Sequence, residues 1–271
     1  MAMAQRTGAA EERKRLALVV EYEGTSYNGF QLQSNGRTVQ GELERALERL
    51  LQTPTRVKGA SRTDAGAHAR GQVVSFESAA DYTEEVYRSA LNYYLPEDIR
   101  VVSAYTVPRK FDVRRHATSR VYDYCIANTA APPALHRDFV HWERRSLDEG
   151  RMGEAAQKLV GTHDFVAFTV PEALGGSTVR RVYKWDVERR EELVIIRSEA
   201  NAYLYQQVRR TAGALVGVGT GESTVEEFEA LLEGKQCGSA GPLLPARGLF
   251  LVQVKYPDFP PVSGVNDDKE R

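Results

Sequence analysis

The run Val179-Arg180-Arg181-Val182-Tyr183-Lys184-Trp185-Asp186-Val187-Glu188, followed four residues later by Leu193-Val194-Ile195-Ile196-Arg197-Ser198-Glu199, reads as two long β-strands in succession. No helix-patterned segment separates them, which is hard to fit into a parallel sheet wound with a helix between every pair of strands. Upstream, Leu16–Tyr22 is a short apolar run closed by the turn residues Glu23-Gly24-Thr25-Ser26. Val39, Leu43, Ala46, Leu47, Leu50 and Leu51 recur at helical spacing against a charged face. Strand-like Arg56–Ala60 and Gln72–Phe76 flank a polar loop, Ser61–Arg70. A helix is expected over Thr83–Leu95, stopped by Pro96, and strands over Ile99–Val107 and Arg120–Ile126. Ser146 with Glu149 reads as a capping box for a helix through Met152, Ala155, Ala156 and Leu159, and Ser223 with Glu226 as one for a helix through Phe228, Leu231 and Leu232. Between these lies a helix over Tyr205–Val218, and Leu249–Val254 is the last strand. The expected fold is α+β with a mostly antiparallel mixed sheet flanked by helices. It divides near residues 108–112 into an N-terminal half, 14–110, and a C-terminal half, 111–256, with 1–13 and 257–271 as flexible termini.

Composition narrows the function. The 271 residues include 42% hydrophobic ones, enough for a large core, and no run approaches the ~18 apolar residues of a membrane helix. The start, Met1-Ala2-Met3-Ala4-Gln5-Arg6, lacks a secretory signal's apolar stretch, so a cytoplasmic protein with no membrane partner is expected. Cys125 and Cys237 cannot build a disulfide framework or a structural zinc site. His68, His116, His136, His141 and His163 are scattered without metal-ligand spacing, so no metal is expected. Gly217, Gly219 and Gly221 follow a helix instead of opening one, so they read as a helix end and not as a phosphate-binding fingerprint. No G-x-S-x-G elbow supports a serine hydrolase.

The net charge of −1 counts against a nucleic-acid partner unless the charge is segregated. Two features suggest that it is. Arginine supplies 28 of the 36 basic residues, the type suited to forked phosphate contacts. Arg109, Lys110, Arg114, Arg115 and Arg120 face only Asp112 between residues 109 and 120, while Glu226, Glu227, Glu229 and Glu233 gather on a presumed outer helix.

The stretch Gly59-Ala60-Ser61-Arg62-Thr63-Asp64-Ala65-Gly66-Ala67-His68-Ala69-Arg70-Gly71-Gln72 sets one carboxylate between an arginine and three small residues, in a loop long for a hairpin. Small residues permit close approach of a ligand, and a nearby guanidinium would orient the carboxylate. On the residues alone, a plain turn in which Asp64 bonds its own backbone is the stronger reading.

The same stretch resembles the catalytic motif G-R-T-D-A-G-V-H-A of the TruA family of tRNA pseudouridine synthases, with Ser61 and Ala67 as departures. Five further segments match in order: Tyr22–Gln31 with Y-D-G-x-x-Y-x-G-W-Q, Ala117–Tyr124 with A-T-x-R-x-Y-x-Y, Gly161–Phe165 with G-x-H-D-F, Asn201-Ala202-Tyr203 through Val208-Arg209 with N-A-F and V-R, and Gly248–Leu251 with G-L-Y-L. The resemblance implies two α+β halves with the active cleft between them, and a homodimer that shares one tRNA. It implies a cofactor-independent isomerase acting on uridines of the anticodon stem-loop, nucleotides 38 to 40. By motif position Asp64 is the catalytic nucleophile or base, Arg209 its basic partner, Arg62 a second candidate for orienting it, and Tyr122 the ring that stacks on the target base. Attack at C1′, addition to C6 and removal of the C2′ proton all remain open to that carboxylate. Arg210 and Phe30 depart from the Asn and Trp of many relatives. The competing readings are a relative acting on another RNA uridine, a non-catalytic RNA binder on the same scaffold, and a nucleosidase for free uridine.

Overall fold

A computed structural model describes residues 13–257 and 259, except 174 and 235. The expected flexible termini, 1–13 and 257–271, fall outside these residues apart from 13, 257 and 259. Among the described residues ten strands form one sheet: β1 (Lys14–Tyr22), β2 (Lys58–Gly59), β3 (His68–Ser78), β4 (Ile99–Val107), β5 (Ser119–Ala127), β6 (His141–Trp142), β7 (Gly161–Asp164), β8 (Val179–Arg190), β9 (Leu193–Ala200) and β10 (Leu249–Lys255). The main path runs β4-β1-β3-β10-β5-β9-β8-β7, with β2 on β3 and β6 on β5. Only β10–β3 and β5–β6 are parallel, so the sheet is mixed and mostly antiparallel, as the β8–β9 succession requires. The last strand therefore lies in the middle of the sheet, between β3 and β5.

Five α-helices among the described residues pack around it: α1 (Val39–Leu51), α2 (Glu84–Tyr94), α3 (Glu149–Gln157), α4 (Gln207–Gly219) and α5 (Val225–Glu233). Helix α1 starts where the Thr38 side chain accepts the Gly41 N–H, and buries Val39, Leu43, Ala46 and Leu47. Helix α4 is buried on nearly every side, which its small residues allow. A Cβ at Gly213 would sit 2.1 Å from the Pro242 carbonyl oxygen. One continuous core includes the fully buried Trp185, Tyr87, Tyr124, Phe30, Phe165, Phe168 and Phe228.

Three helix starts differ from the sequence reading. Helix α3 is capped by Asp148, whose side chain accepts the Arg151 N–H, not by a Ser146–Glu149 box. Helix α5 carries its capping box one residue later than expected, at Thr224 and Glu227. Helix α4 begins at Gln207 and not Tyr205, because Gln206 adopts a left-handed conformation with φ of 61°. The glycine string does end a helix: α4 stops at Gly219, and the Glu222 and Ser223 N–H groups return to the Gly217 carbonyl at 2.9 and 3.2 Å.

Candidate active site

The loop between β2 and β3 is pinned along its length. Gln72, fully buried on β3, accepts the Ser61 N–H at 3.2 Å and donates to the Ser61 carbonyl at 2.8 Å. The Thr63 hydroxyl lies 2.6 Å from the Tyr22 hydroxyl, the Phe30 N–H donates to Thr63 O, and the Gly66 N–H donates to Tyr27 O. The segment from Tyr22 to Gln31 is thus a cradle for the loop, which gives its match to the family motif a structural reason. Gly29 has φ of +83°, and a Cβ there would come within 2.7 Å of Thr63 O.

His68 closes the loop at its far end. Its Nδ1 accepts the Gly24 N–H at 3.0 Å, so the proton sits on Nε2, which donates to Asp138 O at 3.0 Å and Arg247 O at 3.1 Å. The ring stacks on Phe250 with centroids 4.7 Å apart. Burial holds its pKa below the ordinary histidine value, and it serves as a neutral clamp.

Asp64 does not spend its side chain on a turn. Its Oδ2 accepts from Arg209 Nη1 at 2.7 Å, and the two side chains are only 13% and 12% exposed, which leaves the pair little screened by water. Arg209 Nε donates to Leu244 O at 2.7 Å, so two separate nitrogens fix the guanidinium. Asp64 Oδ1 has no hydrogen-bond partner among the described residues. Tyr122, on β5, places its hydroxyl 2.7 Å from the Ser61 hydroxyl, and its ring meets Tyr203 edge-on at 5.1 Å. Burial, together with the nearby Asp64 charge and against the Ser61 hydrogen bond, pushes the phenol up to about 12, so it stays protonated at neutral pH. Tyr124 belongs to the core instead, donating to Pro245 O.

Asp64, Arg209 and Tyr122 line one cavity of about 580 Å³. Arg62 lines it too, but is exposed and makes no hydrogen bond or ion pair with Asp64; among the described residues Arg209 is the partner that holds the carboxylate. Of the five basic residues expected on the RNA surface, Arg114 lines the cavity, while Arg109, Lys110 and Arg115 are exposed outside it. Arg120 departs from that expectation. It is 8% exposed, and its Nη1 and Nη2 donate to the carbonyls of Ala117, Asn201, Ala60 and Arg114. Its donors brace the cavity wall and are not left for phosphate, a distinction that charge counting along the chain cannot make.

Arg180, Tyr205 and Gln206 also line the cavity and were not anticipated. Phe30 is 1% exposed and packs against Gly59, so an apolar contact occupies that departure. Arg210 reaches only toward Gly238 O, at 3.5 Å, and leaves the Asp64–Arg209 pair untouched. Cys237 donates to Thr169 O, and burial pushes the Cys125 thiol up to about 11, which keeps Cys125 protonated at neutral pH. Among the described residues no three His, Cys, Asp or Glu side chains cluster as metal ligands, and no helix is long and apolar enough to cross a membrane.

A sequence profile of the tRNA pseudouridine synthase family matches residues 18–114 and 155–257, two segments that contain the Asp64 loop and Arg209. The chain belongs to that family. The tRNA pseudouridine synthase A of Methylobacterium nodulans is 42% identical over 245 residues, covering 90% of this chain and 96% of that protein. The synthase of the same name from Sinorhizobium fredii is 39% identical, covering 89% and 99%, and that of Coxiella burnetii strain Dugway is 37% identical, covering 90% and 93%. A pseudouridine synthase isomerises tRNA uridine. That reaction breaks the N1–C1′ bond, turns the base and makes a C5–C1′ bond. This chain's cavity holds a fixed carboxylate and a protonated tyrosine in one lining.

Proposed function

We propose that this protein converts uridine to pseudouridine at nucleotides 38 to 40 of the tRNA anticodon stem-loop, with Asp64 as the catalytic group. The observation that carries the reading is the Asp64–Arg209 pair, held in the same cavity as the Tyr122 ring. A uridine swung out of its stack would enter this cavity and lie against Tyr122. Arg209 fixes Oδ2, so Oδ1 is the oxygen free to react. That oxygen would serve attack at C1′, addition to C6 or removal of the C2′ proton. The base stays in the cavity while it turns, C5 then bonds C1′, C5 gives up its proton and N1 acquires one. The atoms balance without oxidant, reductant or added group.

The two halves, 14–110 and 111–256, supply Asp64 and Tyr122 respectively, and the family resemblance supports a cytoplasmic homodimer sharing one tRNA. The test is to incubate the protein with unmodified tRNA transcript and chelator, and to map pseudouridine by nucleotide. Product at 38, 39 or 40, lost when the anticodon arm is deleted, is expected; product elsewhere sinks the positional assignment. Asp64→Asn should lower the rate at least ~100-fold, the scale of a lost acid–base group, while tRNA still binds. A variant that converts uridine at the wild-type rate overturns the role given to Asp64.

A further inference from the structure

Arg180 stands at the start of β8, where Arg181 exchanges hydrogen bonds with Asn201: Arg181 N–H to Asn201 Oδ1 and Asn201 N–H to Arg181 O, both 3.0 Å. These bonds tie the strand entry to the chain segment that forms another part of the cavity wall. The Arg180 side chain makes two hydrogen bonds, both from Nη1, to Ser177 O and Val179 O at 2.7 Å. Its Nε is buried without a partner. Three other arginines of the β8–β9 hairpin are neutralised, Arg189 by Glu149, Arg190 by Glu188 and Arg197 by Asp123, while Arg181 lies over the Tyr183 ring. Arg180 has no carboxylate within ion-pair distance among the described residues, and burial lowers its pKa with nothing to offset it.

A guanidinium nitrogen donates strongly to a phosphate oxygen. Arg180 is anchored through Nη1, its Nη2 makes no hydrogen bond among the described residues, and the residue lines the cavity that holds Asp64. The cavity wall also carries Arg62 and Arg114, which have no ion-pair partner among the described residues; its five arginines outnumber its two carboxylates, Asp64 and Glu172, so an incoming anion is favoured there. A nucleotide turned out of a helix rotates about its own phosphates, which stay near the mouth of the pocket that takes the base.

We propose that Nη2 of Arg180 binds a phosphodiester flanking the target uridine, and so holds the swung-out nucleotide in register with Asp64. The inference rests on the reading of this cavity as the uridine site. The test measures tRNA binding against salt for the wild type, Arg180→Ala and Arg180→Lys, using tRNA with a neutral methylphosphonate on either side of the uridine located by product mapping. Arg180→Ala should weaken binding about tenfold and lower the salt slope by about one, with Arg180→Lys recovering part of the loss. The single-turnover rate at saturating tRNA should fall less than the affinity. One methylphosphonate should weaken the wild type about as much and weaken Arg180→Ala no further.

An unchanged salt slope, or losses from variant and methylphosphonate that multiply, overturns the proposal. So does a rate loss at saturation without an affinity loss, which would put Arg180 on the base. Should Arg180→Ala fail to fold, Arg180→Lys and the methylphosphonate series on the wild type decide, and a wild type indifferent to both linkages overturns it. Pseudouridine outside nucleotides 38 to 40, alongside the expected salt behaviour, would sink the positional reading and leave this one standing.

Discussion

The hydroxyls of Ser61 and Tyr122 meet at 2.7 Å, tying the loop that carries Asp64 to the strand that carries the cavity's aromatic ring. Serine stands here where the family motif has glycine, so this chain holds the ring by a bond that a glycine could not make. Ser61→Ala should remove a bond of about 1 kcal/mol, worth about fivefold in single-turnover rate. Tyr122→Phe removes the same bond, so the double variant should be little worse than the slower single one. Fully additive losses would show that the two hydroxyls act separately.

Arg209→Ala should cost at least ~100-fold in rate, because Asp64 loses its fixed partner, with a small change in tRNA affinity. Stability should drop by ~3–5 kcal/mol, since a carboxylate is left buried and uncompensated. Arg209→Lys should not rescue the rate, as one ammonium cannot reproduce separate bonds to Leu244 O and Asp64. A pure affinity loss with an unchanged rate at saturation would place Arg209 on the tRNA contact surface.

Gly29→Ala should destabilise the protein by ~1–3 kcal/mol through its positive φ, and slow catalysis as well, because the added carbon presses on Thr63 O beside Asp64. Denaturant unfolding paired with single-turnover kinetics reads both. Normal kinetics in a stably folded variant would detach the Tyr22–Gln31 cradle from the positioning of Asp64.

His68 should make the fold sensitive to mild acid. Its unfolded pKa is about 6.5 and its folded value is lower, so below pH 6.5 the unfolded chain binds the proton more readily. Stability is full above pH 6.5 and is lost as pH falls toward the folded pKa, at no more than ~1.4 kcal/mol per pH unit for this one group. Thermal midpoints of the wild type and His68→Gln, followed from pH 7.5 to 5, should converge on the acid side. Parallel curves would count against the neutral clamp.

Much of this was readable from local pattern. The β8–β9 succession spoke against a doubly wound sheet, and most elements fall within four residues of their expected bounds, but β6 and β7 were not expected and β3 begins at His68, inside the expected Ser61–Arg70 loop. Capping residues were less legible where the pattern is degenerate: Ser223 and Thr224 both precede a glutamate by three, and only the folded chain selects Thr224. The Asp64–Arg209 contact spans 145 positions, and the residues alone favoured a simple turn; the family motifs pointed to the pair. Arg120 and Arg180 show the limit of charge counting. One arginine from the basic cluster proved to be a buried brace, and one from β8, whose pattern speaks only to the fold, proved to line the cavity, because burial and hydrogen-bond partners are set by tertiary packing.

The central place of β10 bears on how the protein is made. Asp64 precedes β3 and Tyr122 lies on β5, and the strand that joins those two is the last to be synthesised. The pairing that joins the lane of the carboxylate to the lane of the ring thus waits on β10, the last of the described strands in chain order.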